Sequence, residues 1–187
     1  MSIPAWTLRN ATLNDLPVLE ALIPRSAFEL QKNLYSEQQI KAALGPVFGV
    51  DCQLIEDGTY YVVTEGDAIV GCGGWSFRAS KFGGSEGRME ADPRLDPKHD
   101  PARIRAFFVD PKFARQGIGS ALMNQCETAI LAMGFERVEI TATLAGERLY
   151  ERFDYSVVDR DEIPLVGATS MATVRMFKMM DQKPGQD

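Results

Sequence analysis

The chain has 187 residues, 45% hydrophobic and 25% charged, which suits one globular domain with a core of its own. Its 20 Lys and Arg stand against 26 Asp and Glu, a formal net charge of -6. That balance argues against nucleic acid or an anionic membrane as partner and leans toward a cationic or amine-bearing small molecule.

Residues 1–6 lack a basic region followed by an apolar stretch, so no signal peptide is expected. No apolar run approaches the ~20 residues of a membrane span. Residues 6–10 read as a first strand. Thr12 and Asn14 are N-cap residues with Asp15 three after Thr12, and Leu16, Leu19, Ile23 and Leu30 keep helical spacing. Pro24 is expected to end or kink that helix. Ser36 and Gln39 form a second capping box before Ile40, Ala43 and Leu44, and Gly45-Pro46 stops the helix.

Residues 59–64 are β-branched and aromatic, 65–67 turn, and 68–77 return as a strand. Gly71, Gly73 and Gly74 weaken the return strand, or mark a bulge or a close backbone approach. Residues 78–101 carry Gly, Pro and charge without periodicity, and read either as a functional loop or as a disordered insertion. A strongly apolar strand spans 104–109. Ile118, Leu122, Ala129 and Met133 share a helical face that Gly134 ends. A strand at 138–143, a short helix at 146–153 and closing strands at 155–159 and 173–179 complete a layered α/β domain. Residues 181–187 form a polar tail. Cys52, Cys72 and Cys126 are odd in number and widely spaced, so neither a disulfide framework nor a zinc site is expected; free thiols fit a reducing cytoplasm.

The informative segment runs strand, loop, two glycines, helix over residues 107–122. Glycines there let the backbone approach a ligand. The following helix offers unpaired N–H groups and the positive end of its dipole, and Arg115 adds a cationic fork. This is an anion site suited to a pyrophosphate. A dinucleotide fingerprint would need a third small residue where Leu122 stands, and a Walker loop would need Gly-Lys-Ser/Thr, which is absent.

Arg115-Gln116-Gly117-Ile118-Gly119-Ser120 resembles the coenzyme A loop of the GCN5-related N-acetyltransferases (GNAT), whose pattern is Gln/Arg-x-x-Gly-x-Gly/Ala. Gly117 and Gly119 take the glycine places, and the first place falls on Ala114. Residues 8–16 resemble the family's opening strand and helix, and 104–109 its fourth strand. Leu149-Tyr150-Glu151-Arg152-Phe153-Asp154-Tyr155 resembles its late (Phe/Leu)-Tyr-Glu-(Lys/Arg)-x-Gly-(Phe/Tyr), with Asp154 in the Gly place.

The resemblance implies one N-acetyltransferase domain over 1–180. Its fold would be mixed α/β, with a twisted, mostly antiparallel sheet of about seven strands and about four helices. The fourth and fifth strands would be parallel and splayed. It also implies acetyl-CoA as co-substrate, no metal, and a primary amine as acceptor, an amino acid, polyamine, aminoglycoside, aromatic amine or protein N-terminus all fitting. Phe107, Phe108 and Val109 would pair with the pantetheine arm, and Arg115, Gln116, Gly117, Ile118, Gly119 and Ser120 would hold the pyrophosphate. Tyr150 would be the acid that protonates the leaving thiolate, and the Phe108 N–H the oxyanion donor. Phe28, Tyr35, Trp75 and Phe82 are candidates for the acceptor pocket. Glu90, Asp92, His99, Asp100 and Glu139 are candidate bases, with a water relay as the alternative, and the family's Asn after the fifth strand is missing near Ala145. A cytoplasmic location, no nucleic-acid or membrane partner, and homodimerisation as in relatives complete the expectation. A non-catalytic acyl-CoA sensor is the main rival, ahead of an acyltransferase for other acyl groups.

Overall fold

The computed structural model describes residues 6–80, 91–167 and 169–180. Seven strands form one sheet in the order β1-β2-β3-β4-β5-β7-β6: β1 (Trp6–Asn10), β2 (Tyr60–Glu65), β3 (Ala68–Ser76), β4 (Ala102–Val109), β5 (Arg137–Thr143), β6 (Ser156–Leu165) and β7 (Thr169–Met179). All neighbours are antiparallel except β4 and β5. These two pair only at Ala102↔Val138, Arg103↔Glu139 and Ile104↔Ile140 and are unpaired beyond, so the sheet opens there into a cleft. The helices are α1 (Leu16–Gln31), α2 (Glu37–Ala43), α3 (Cys52–Glu56), α4 (Ile118–Ala132) and α5 (Glu147–Glu151).

Alternation along the strands builds two cores, one on each face of the sheet. Tyr61, Val63, Trp75, Ile104, Val138 and Ile140 pack against Ile118, Leu122, Cys126 and Ile130 of α4. Tyr60, Val62, Cys72 and Phe108 pack against Leu19, Leu22 and Ile23 of α1 and Ile40 of α2.

The local signals hold in several places. The Asp15 carboxylate accepts from the Thr12 N–H (2.8 Å) and hydroxyl, and Ser36 and Gln39 close a reciprocal box at α2. Gly134 ends α4 with φ 83°.

Three expectations change, and one element is new. Helix α1 runs through Pro24 to Gln31, because burial of Leu19, Leu22, Ile23 and Ala27 outweighs one lost backbone bond. Met133 is exposed, and the buried stripe of α4 follows the spacing Ile118, Leu122, Cys126, Ile130. The closing strands are longer than their patterns, because nine register pairs join β6 to β7 where β6 itself is exposed and polar. The short helix α3 had no clear sequence signal.

Residues 78–80 and 91–101 are irregular apart from a bridge between Arg78 and Arg94. Phe82, Glu90 and the tail 181–187 lie outside the described residues. No helix among those described is long and apolar enough to cross a membrane.

Candidate functional site

The cleft begins at a bulge in β4. Cys72 faces Phe108 and Gly74 faces Arg105, so Ala106 and Phe107 together oppose Gly73. Ala106 takes φ 58°, unusual for a residue with a Cβ, and its carbonyl accepts from the Tyr60 hydroxyl at 3.1 Å. Glycine at 73 is required by contact: a Cβ there would meet the Phe107 ring at 2.4 Å. The glycine cluster of β3 is thus a close approach that seats Phe107.

Beyond the bulge the strand alternates regularly. The Asp110 N–H bonds the Val70 carbonyl (2.8 Å), so the N–H of Phe108, two residues back, also points at β3. The peptide groups of Phe107 and Val109 point the other way, into the cleft. The Val109 N–H is bonded to Ser26 Oγ of α1 at 3.1 Å. The expected donor at Phe108 is therefore turned away, and Phe107 supplies the N–H facing the cleft. The Phe108 ring packs edge-on against Phe48 at 6.0 Å.

After β4, Asp110 caps a 3-10 turn (Pro111–Phe113) by accepting from the Lys112 N–H, and it pairs with Arg25 at 2.7 Å. Arg115 (φ 67°) and Gly117 (φ 88°) then turn the chain into α4. The first intrahelical bond of α4 runs from the Ala121 N–H to the Gly117 carbonyl, which leaves the N–H groups of Ile118, Gly119 and Ser120 without helical partners. Gly119 abuts Leu149, where a Cβ would sit 3.1 Å from that side chain. Gln116 turns back to the Lys112 carbonyl (3.3 Å) and does not line the cleft. The Ile118 side chain is buried in the core, so only its backbone is available.

These elements enclose a cavity of about 520 Å³. Phe107, Phe108 and Val109 form one wall, and Arg115, Gly117, Gly119 and Ser120 form its end. Tyr150 and Leu149 of α5 face them, and Arg152 lies at the rim. The elongated run of strand edge, glycine turn and helix N-terminus fits a long ligand carrying a phosphate group.

Tyr150 is buried, 6.3 Å between ring centroids from Phe107, and burial pushes its phenol above the ordinary tyrosine value. Among the described residues none bonds its hydroxyl. A second cavity of about 80 Å³ adjoins on the α1 side of β4, sharing Gln31, Phe107, Phe108, Thr143 and Tyr150 with the first.

Arg105 lines the second cavity and pairs with the fully buried Asp51. Burial lowers its pKa to about 10.

Of the four acceptor candidates, the three within the described residues, Phe28, Tyr35 and Trp75, do not line either cavity. Trp75 lies in the α4-side core, edge-on to Phe77 and Phe135. Phe28 packs half-buried on the opposite core. Tyr35 is structural: its hydroxyl donates to the Ala172 carbonyl (2.6 Å) and accepts from the Leu144 N–H (2.8 Å), tying the end of β5 to β7.

Among the candidate bases, Glu139 pairs with Arg103 and Arg175, and His99 is exposed beside Asp96. No cluster of three or more His, Cys, Asp or Glu suited to a metal occurs among the described residues.

Sequence reading missed Ser26, Leu30 and Gln31 of α1, because a polar residue in an amphipathic helix carries no mark of which face it takes. It also missed Arg152 and Arg105.

The acetyltransferase (GNAT) family matches the chain over residues 25–155. No curated protein matches it by sequence. Among solved structures, one described as a GCN5-related N-acetyltransferase, aminotransferase class-II, from Rhodopseudomonas palustris superposes with TM-score 0.72 at 18% identity, covering 96% of this chain and 99% of that one. The PaiA N-acetyltransferase of Thermoplasma acidophilum, in complex with coenzyme A, gives 0.66 at 15% identity, covering 96% and 99%. YncA of Salmonella typhimurium, with its cofactor acetyl-CoA, gives 0.63 at 13% identity, covering 98% of each chain. At these identities the likeness is one of fold.

Proposed function

The chain belongs to the acetyltransferase (GNAT) family, and we propose that residues 1–180 are one N-acetyltransferase domain that moves an acetyl group from acetyl-CoA to a primary amine, by direct attack with both substrates bound. The observation that carries this reading is the continuous cavity from the outward-facing peptides of β4, past Tyr150, to the open N–H groups of α4.

The residues present fit the co-substrate. The unpaired N–H groups at Ile118 to Ser120, with Arg115 beside them, suit a pyrophosphate, and the peptide edge at Phe107 and Val109 suits a chain of amides. When bound there, acetyl-CoA supplies the activated thioester. The Phe107 N–H, turned into the cleft, donates to the oxygen on which negative charge develops. Tyr150 keeps its proton across the neutral range, since burial raises its pKa, and gives it to the departing sulfur. The ammonium proton released on attack leaves through water. Ala114 is in place on the cavity wall without a hydrogen-bonding side chain, so cationic contact with the phosphates falls to Arg115 and Arg152, which line the same cavity.

Acceptor-dependent thiol release from acetyl-CoA, compared between the protein and Tyr150→Phe, tests the reading. A fall of at least tenfold in kcat, about 1.4 kcal/mol of barrier, is expected, with acetyl-CoA affinity retained. Thiol release undiminished in the variant would remove Tyr150 from the acid role. Tight acetyl-CoA binding without release to any amine would instead support a non-catalytic sensor.

A further inference from the structure

The bulge in β4 is held from two sides. Gly73 leaves room for the Phe107 ring, and the Tyr60 hydroxyl donates to the Ala106 carbonyl at 3.1 Å. Tyr60 reaches that carbonyl from β2, two strands away, passing beside the Cys72 thiol of β3. Its side chain is wholly buried. A Cβ at Gly74 would meet the Thr59 carbonyl oxygen at 2.5 Å and the Tyr60 ring at 2.8 Å, so glycine there leaves the ring its place. Burial pushes the phenol well above the ordinary tyrosine value, and the hydroxyl keeps the proton it donates.

The Ala106 carbonyl and the Phe107 N–H belong to one planar trans peptide, so they point in opposite directions. A hydrogen bond that draws the carbonyl toward β2 and β3 therefore turns the Phe107 N–H toward β5 and the cleft. Ala106 takes φ 58° to allow this, a conformation that disfavours any residue with a Cβ. It has no register partner in β3 or β5. The local backbone thus works against the orientation that the Tyr60 hydroxyl favours.

We propose, resting on the transfer reading above, that Tyr60 is a positioning residue: its hydroxyl holds the Ala106–Phe107 peptide so that the Phe107 N–H faces the thioester oxygen. Tyr60 lines neither cavity and acts only through that peptide. Without the hydroxyl the peptide is free to turn over. A carbonyl oxygen then faces the place where negative charge develops, and the barrier rises. The open N–H groups of α4 are unaffected, so acetyl-CoA still binds.

Thiol release from acetyl-CoA to a responsive amine tests this on Tyr60→Phe, on Ala106→Gly and on the two together. Tyr60→Phe should lose about tenfold in kcat. Its Kd for acetyl-CoA by calorimetry, which also reports folding, should stay within about threefold, a split between kcat and binding that a general loosening of the fold would not give. Glycine takes a positive φ without strain, so Ala106→Gly should keep kcat, and Tyr60→Phe added to it should cost less than about threefold. A folded Tyr60→Phe within about twofold of the unmodified kcat, or an equal fall in both backgrounds, would overturn the proposal and leave the transfer reading standing. If Tyr60→Phe does not fold alone, the double variant is compared with Ala106→Gly, and a gap of about tenfold between them overturns it. An unmodified protein that binds acetyl-CoA and releases no thiol to any amine would overturn both.

Discussion

The two sides of β4 are built from different materials. On the side that faces α4 and α5, the cleft presents main chain: the outward peptide at Phe107, the left-handed turn at Arg115 and Gly117, and three open N–H groups. On the side that faces α1, it is made of side chains: Gln31, Thr143, and Arg105 paired with a fully buried Asp51. Main-chain sites depend on a few residues close in sequence and tolerate many side chains. Side-chain sites depend on groups contributed by distant elements, and each substitution is felt. On the transfer reading proposed above, the first side suits a co-substrate held through its main-chain contacts.

The sharpest way to break this contrast is Asp51→Asn. It leaves the Arg105 guanidinium buried without its counter-ion, and the loss should be about 3–5 kcal/mol in unfolding free energy. Denaturant titration checks it; a change under 1 kcal/mol would show that the α1 side of β4 is not held by this pair. Gly73→Ala attacks the other side. Its Cβ meets the Phe107 ring at 2.4 Å, which must move. A cost of about 1–3 kcal/mol is expected from overpacking, together with weaker acetyl-CoA binding by calorimetry. Stability lost with affinity unchanged would separate the bulge from the co-substrate site. Smallest is Arg115→Ala. The side chain is exposed, so its contact with phosphate should contribute about 0.2–1 kcal/mol, up to roughly fivefold in Kd, and fade as salt rises. An effect that persists at high salt would mean that Arg115 is held closely against the ligand.

Much of the larger cavity, the proposed co-substrate side, is legible in the amino-acid sequence. The spacing of Gly117 and Gly119 after an apolar strand, and Tyr150 in its short helix, are local patterns with local causes. Phe107, Val109 and the glycine turn line the cavity, whereas Gln116 folds back onto the Lys112 carbonyl. The Phe108 N–H was misassigned because its direction depends on the register with β3, and a bulge at Ala106 shifts that register by one. Trp75 and Tyr35 look like pocket aromatics in one dimension. They are a core residue and a tie between strands once the sheet is assembled.

By itself the sequence determined the order of the seven strands and of four of the five helices, the caps of the first two helical segments and the glycine turn into α4, because each rests on contacts within a few residues. Only the tertiary structure decided that α1 continues through Pro24, that Gly73 seats Phe107, and that Gln31 and Arg105 line one cavity with Asp51 paired to Arg105. Those outcomes depend on packing between segments tens of residues apart, where burial outweighs local preference.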